Sequence, residues 1–108
     1  MEMKTFSMIS IEVKIEYDSK VDEEGKRRIP NRIINGLKGK LVPYNIDELI
    51  NQNNTLRLKF KLKNGARCAM TEPKLLIDKM IMESLGPDKE VVTYTIDVES
   101  EELDVKPE

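Results

Sequence analysis

The stretch TLRLKFKLKNGARCAMTEPKLLIDKMIMESL, residues 55–85, decides the fold class. Leu56, Leu58, Phe60 and Leu62 alternate with Arg57, Lys59, Lys61 and Lys63. Successive side chains of a strand point to opposite faces, so this pattern is a strand with one apolar and one cationic face. Asn64-Gly65 supplies a turn that tolerates positive φ. Beyond it, Ala66, Cys68 and Met70 fall on one parity and Arg67, Ala69 and Thr71 on the other, which predicts a second strand. Register selects the loop between them. A two-residue loop sets Leu62 against Arg67 and mixes the faces. A three-residue loop, Lys63-Asn64-Gly65, pairs Leu62 with Ala66, Phe60 with Cys68 and Leu58 with Met70, and keeps one face apolar. The hairpin expected on this basis holds Gly65 in the left-handed conformation of a bulge.

A helix follows directly. Thr71 is a suitable N-cap, Glu72 suits the positive end of the helix dipole, and Pro73 is tolerated in the first turn. Leu76, Ile77, Met80, Ile81 and Leu85 recur at helical spacing and predict one buried stripe over about 72–85. Gly86-Pro87 is a stop signal.

Working toward the N-terminus, Asn45 to Gln52 reads as a short helix, with Asn45 as cap, Glu48 three residues on, and Ile46, Leu49 and Ile50 as its buried side. Residues 51–54 read as a polar connection. Val42-Pro43-Tyr44 is extended, and Tyr44, beside a proline in a loop, is the tyrosine expected to be exposed. Between Lys26 and Lys40 the chain carries Lys26, Arg27, Arg28, Arg32, Lys38 and Lys40 with no acidic residue. Ile29, Ile33, Leu37 and Leu41 are spaced by four there, so a helix is expected, with Pro30 in its first turn and Gly39 at its end. Gly36 weakens that helix, and a strand and loop over 26–44 is the alternative. Ile9, Ile11, Val13, Ile15 and Tyr17 alternate with polar residues and predict a long first strand. Val92, Tyr94, Ile96 and Val98 do the same for a last one. Met1 to Lys4 is expected to be a short frayed lead.

The order strand, helix, strand, strand, helix, strand predicts an α+β chain: a ferredoxin-like βαββαβ sandwich, with a four-stranded, mainly antiparallel sheet and both helices on one face. A small β-roll or partial barrel with one long helix is the alternative. With 108 residues, one domain over 1–98 and an acidic tail over 99–108 are expected.

Composition bounds the chemistry. The sequence has no histidine, no tryptophan and one cysteine. Ser-His-Asp and Cys-His catalysis, His/Cys zinc sites and an internal disulfide are therefore excluded. No glycine-rich phosphate loop occurs, and no cofactor is implied. The 20 acidic residues leave a carboxylate–metal enzyme as a weak third reading, with no spacing that singles out ligands. No apolar run reaches membrane-span length, and no export signal is visible, so a cytoplasmic, reducing setting is expected. Cys68 is expected on the core face.

The function this supports is a small non-enzymatic binding module. Its leading form engages an anionic partner, nucleic acid or an acidic protein, through Arg27, Arg28, Arg32, Lys38 and Lys40, with support from Lys59 and Lys61 of the cationic strand face. Affinity of that kind is dominated by counterion release. The alternative for the basic segment is a solvated helix face. For the strand lysines it is protection of an edge strand. Stacking of bases on the sheet is rejected, because the open-face positions Ser10, Glu12, Lys14 and Glu16 carry no ring. The rival function is a protein–protein adaptor, inhibitor or homo-oligomer that uses the exposed sheet face or an edge strand.

Overall fold

The computed structural model describes residues 3–103. Met1, Glu2 and residues 104–108 of the expected lead and tail lie outside the described residues. The elements are β1 (Lys4–Tyr17), α1 (Glu23–Lys40), β2 (Tyr44–Gln52), β3 (Thr55–Leu62), the two-residue β4 (Ala69–Met70), α2 (Pro73–Leu85), a 3-10 turn (Gly86–Glu90) and β5 (Val92–Glu102). The chain is thus an α+β fold with one mostly antiparallel, five-stranded sheet and two helices.

β1 organises the sheet. Its odd residues Ile9, Ile11, Val13 and Ile15 are buried, as the alternation predicts. β3 pairs along one side, with Ile9 opposite Phe60 and Ile11 opposite Leu58. β5 pairs along nearly the whole length, from Tyr17 opposite Val92 to Phe6 opposite Glu102. β2 pairs with β3, and β4 adds Met70 and Ala69 opposite Lys4 and Thr5 of β1. The buried apolar residues form one cluster that includes Ile11, Val13, Leu58, Phe60, Ile77 and Ile81, with Tyr94 and Ile96 packed against it.

Two expectations about the middle of the chain are overturned. Residues 45–52 are not a helix but most of β2. The ladder with β3 is irregular between Ile46 and Glu48. One extra residue there shifts parity, so Tyr44 and Ile46 share a face with Leu49 rather than with Glu48. Ile46, Leu49 and Ile50 thereby mimic helical spacing on a strand. The turn that creates the real hairpin is Asn53-Asn54, both left-handed with φ of 55° and 58°, between the paired residues Gln52 and Thr55. This is the backbone of a two-residue, type I′ hairpin loop.

The hairpin expected through Asn64-Gly65 does not form. Leu58 and Phe60 pair with β1 and β2, and Met70 pairs with Lys4. Gly65 does hold φ +80°, in a turn closed by Ala66 N–H donating to the Lys63 carbonyl at 2.9 Å. The residues after it leave the β3 ladder and rejoin the sheet on β1. β3 is therefore an interior strand, and its lysines do not guard an edge.

α1 starts earlier than expected. Asp22 is the N-cap, its carboxylate accepting from Gly25 N–H at 2.8 Å, with Glu23 and Glu24 in the first turn. Pro30 consequently lies inside the helix, where its missing N–H leaves the Lys26 carbonyl without its usual donor. The Tyr17 hydroxyl donates to that carbonyl at 3.4 Å. Ile29, Ile33, Leu37 and Leu41 are all buried. Gly36 lies against Ser84 of α2: a Cβ there would sit 1.7 Å from Ser84 Oγ. α2 covers the expected span, but its N-cap is Glu72 at φ 45°, with no side-chain cap from Thr71. The chain must turn from β4 into the helix layer within two residues, and Pro73 bars Glu72 from the helical region. Gly86 ends α2 at φ 56°. β5 continues to Glu102, so residues 99–102 are strand rather than tail.

Candidate functional site

Lys26 of α1 pairs with Glu23 of the first turn at 3.6 Å, and the other basic residues of the helix separate into two groups. Arg28 and Arg32 both reach the largely buried Asp88 carboxylate of the 3-10 turn, at 3.2 and 3.3 Å. Lys40 pairs with Glu83 of α2, and this lysine holds the Glu83 carboxyl below its ordinary range, through its hydrogen bond first and its charge second. These three cations join α1 to the α2 region, not to the acidic turn before α1. Arg27 and Lys38 are exposed and form no ion pair among the described residues. They lie eleven positions apart, about three helical turns, along one side of α1.

On the open face of the sheet, the β3 cations meet carboxylates from both neighbours. Arg57 donates to Glu12 of β1 at 2.8 Å, and Lys59 approaches Glu48 of β2 at 3.9 Å. A shallow depression of about 300 Å³ is lined there by Ser10, Glu12, Glu48, Lys59, Asp97 and Glu99 among others. Lys61 is exposed and has no ion pair among the described residues. The aromatic rings lie with the core: Phe6, Tyr44 and Phe60 are buried, and Tyr17 and Tyr94 pack against them. Tyr44 is thus not exposed. Its hydroxyl donates to the Phe6 carbonyl at 2.7 Å, and burial pushes its pKa up. Cys68 is half-buried and carries a free thiol. Among the described residues no group of three or more His, Cys, Asp or Glu comes together in a way that could hold a metal ion. No helix among them is long and apolar enough to cross a membrane.

The most distinctive surface is the outer edge of β5. Asp18 N–H donates to the Val91 carbonyl. Bonding residues alternate along an antiparallel ladder, so Thr93, Thr95, Asp97 and Glu99 direct their backbone groups at β1. Tyr94, Ile96 and Val98 direct theirs outward, where no strand pairs with them among the described residues. The side chains of these same residues point to the helix face. There a groove of about 810 Å³ runs between β5 and the first turns of α2, lined by Pro73, Leu75, Asp78, Ile96 and Val98 among others. Leu75 is 64% exposed, and Met82, two turns on along α2, is 47% exposed. Tyr94 fixes α2 beside the strand: its hydroxyl donates to Asp78 at 2.9 Å. Burial, the bond to Asp78 and the charge of Asp78 push its pKa to about 12.

The sheet's other long outer strand, β2, is interrupted by its bulge, a feature that blunts an edge. β5 has none over Met8–Tyr17 of its ladder; its register shift lies between Phe6 and Met8. The apolar alternation of β5 was visible in the sequence, but its position at an edge was not, because that depends on which strand β1 chooses as its other neighbour. No protein-family model matches the sequence, and no curated protein matches it.

Proposed function

We propose that this chain is a non-enzymatic protein-interaction module that recruits an extended segment to the free edge of β5. One observation carries the reading. An 11-residue strand offers outward backbone donors and acceptors at Tyr94, Ile96 and Val98, next to a groove with exposed Leu75. Strand addition uses this combination: main-chain bonds give affinity, and pockets for alternate side chains give specificity. The arrangement that goes with this function is ferredoxin-like, with β1–α1–β2 and β3–α2–β5 as its two crossover units and β5 at one end of the sheet. The pairings β2–β3, β3–β1 and β1–β5 support it. A lone free thiol at Cys68 suits a cytoplasmic, reducing setting.

The test is selection of displayed random peptides on the wild type and on Ile96→Pro. Proline at 96 removes an outward N–H and leaves the bonds to β1 in place. Peptides that bind the wild type and not the variant support edge recruitment. Equal selection by both proteins refutes it.

A second reading, engagement of nucleic acid or another anionic partner, is favoured by the ion-pair pattern: Arg27, Lys38 and Lys61 have no carboxylate partner among the described residues. Arg28, Arg32, Lys40 and Lys59 would have to exchange the carboxylates they now hold. A salt titration of binding to a mixed DNA and RNA pool tests it. The slope should flatten by roughly one log unit per lost phosphate contact when Arg27, Lys38 and Lys61 are replaced by alanine.

A further inference from the structure

We infer that the segment recruited to β5 is one in which aliphatic residues alternate with lysine or arginine. This rests on the edge-recruitment reading and adds the chemistry of the partner. A strand added beside β5 places its side chains alternately on the two faces of the sheet. Residues opposite Ile96 and Val98 fall on the helix face, above Leu75 and Pro73, where apolar side chains are required. Residues opposite Asp97, Glu99 and Glu101 fall on the open face.

The open face supplies the charge argument. Asp97 stands directly opposite Glu12, and Glu99 opposite Ser10. Like charges directly opposite each other on paired strands are unfavourable. Glu12 is neutralised from its other side by Arg57, whereas Asp97, Glu99 and Glu101 have no cation partner among the described residues. Glu72 and Asp78 add acid to the groove wall, against the single cation Lys74. The chain itself shows what satisfies such a row. β3 alternates Leu56, Leu58 and Phe60 with Arg57, Lys59 and Lys61, and it is flanked on its cationic side by Glu12 and Glu48. β5 presents to solvent a row of three carboxylates with no cationic strand beside it among the described residues.

The experiment uses the full chain and two nine-residue capped peptides. The first repeats residues 55–63, TLRLKFKLK. The second carries glutamate in place of its arginine and lysines. Fluorescence anisotropy measures binding, and amide exchange reports on Tyr94, Ile96 and Val98. The inference expects the cationic peptide to bind at least about tenfold more tightly than the acidic one. The preference should vanish in the Asp97→Asn, Glu99→Gln, Glu101→Gln variant, and the three outward amides should gain protection. Equal binding of both peptides, with protection of those amides, overturns the charge inference and leaves edge recruitment standing. Binding of neither peptide, with no protection, overturns both. A concentration-dependent dimer that protects the same amides and is lost in Ile96→Pro makes a second copy the occupant. That outcome overturns the cationic-segment inference alone. Amide exchange on the wild type keeps all these outcomes readable should Ile96→Pro fail to fold.

Discussion

Gly36→Ala is the most discriminating single substitution, because two effects of similar size oppose each other there. Gly36 lies inside α1, where alanine is intrinsically favoured over glycine by about 1 kcal/mol. The added Cβ would lie 1.7 Å from Ser84 Oγ and 2.6 Å from Ser84 Cβ. The hydroxyl can rotate away, at the cost of its bond to the Met80 carbonyl at 2.7 Å. Ser84 Cβ is fixed to the α2 backbone and cannot. Restoring carbon–carbon contact requires the helices to part by about 1 Å. Overpacking of this kind costs about 1–3 kcal/mol, so the overpacking term outweighs the helix term. The variant should lose about 1 kcal/mol and about 4–8 °C in Tm. In a Ser84→Gly background the clash is gone, and the same substitution should stabilise by up to about 1 kcal/mol. The coupling energy of the cycle is then about 1–3 kcal/mol. Urea unfolding of the four proteins, followed by circular dichroism with a shared m-value, measures it. Equal stabilisation by Gly36→Ala in both backgrounds would falsify the close approach of α1 to α2.

Phe60→Ala empties a fully buried site between β1 and β2 and should cost about 3–5 kcal/mol in chemical denaturation; a loss below about 1 kcal/mol would place Phe60 outside the core. Gly65→Val forces a β-branched residue to φ +80° and should cost about 1–2 kcal/mol, whereas Gly65→Asn should cost less; equal stability of all three proteins would contradict the left-handed turn. Tyr94 keeps its proton in the fold up to about pH 12, against an ordinary value of 10.0. Its contribution to stability is therefore complete below pH 10.0 and is lost as pH rises to about 12. An ultraviolet titration should show a phenol titrating near pH 12 that disappears in Tyr94→Phe and shifts to lower pH in Asp78→Asn.

The strands β1 and β5 and the helix α2 were legible because their apolar residues obey one period from end to end. Ile29, Ile33, Leu37 and Leu41 likewise marked the buried side of α1, although Pro30 concealed its start. A proline in the first turn is the local optimum, and here tertiary packing with a hydroxyl from Tyr17 overrode it. β2 imitates a helix in sequence for a definite reason. Its bulge sets Ile46 and Leu49 three apart on one face, and Asn45 with Glu48 imitates a capping box. The signal that identifies β2 is Asn53-Asn54, since consecutive asparagines before a strictly alternating strand favour the left-handed hairpin loop. Asn64-Gly65 carries the stronger local signal for the same loop, yet pairing was decided by what β3 could bury. Against β1 and β2 it sandwiches Leu58 and Phe60 between Ile11, Ile9, Leu49 and Ile46. Against residues 66–70 it would meet only Ala66, Cys68 and Met70.

The site was less legible than the fold, because charge in a sequence does not reveal its partner. Lys26 to Lys40 contains no acid, so the segment looked like an uncompensated patch. The carboxylates that hold Arg28 and Lys40 are Asp88 and Glu83, 60 and 43 residues away along the chain, and they were brought there by the packing of α1 on α2. The reverse error hid the β5 edge. Glu99 and Glu101 read as the start of a solvated acidic tail, and Asp97, alternating with Ile96 and Val98, reads as the polar side of an ordinary half-buried strand. Only when β3 takes one side of β1 and β5 the other do these residues become an unpaired edge, apolar on one face and acidic on the other. β3, with its cations between two flanking strands, and β5, with its carboxylates beside one, are complementary outcomes of the same alternation. On the proposed reading, the functional weight moves from the most basic stretch of the sequence to the strand that has no outer neighbour among the described residues.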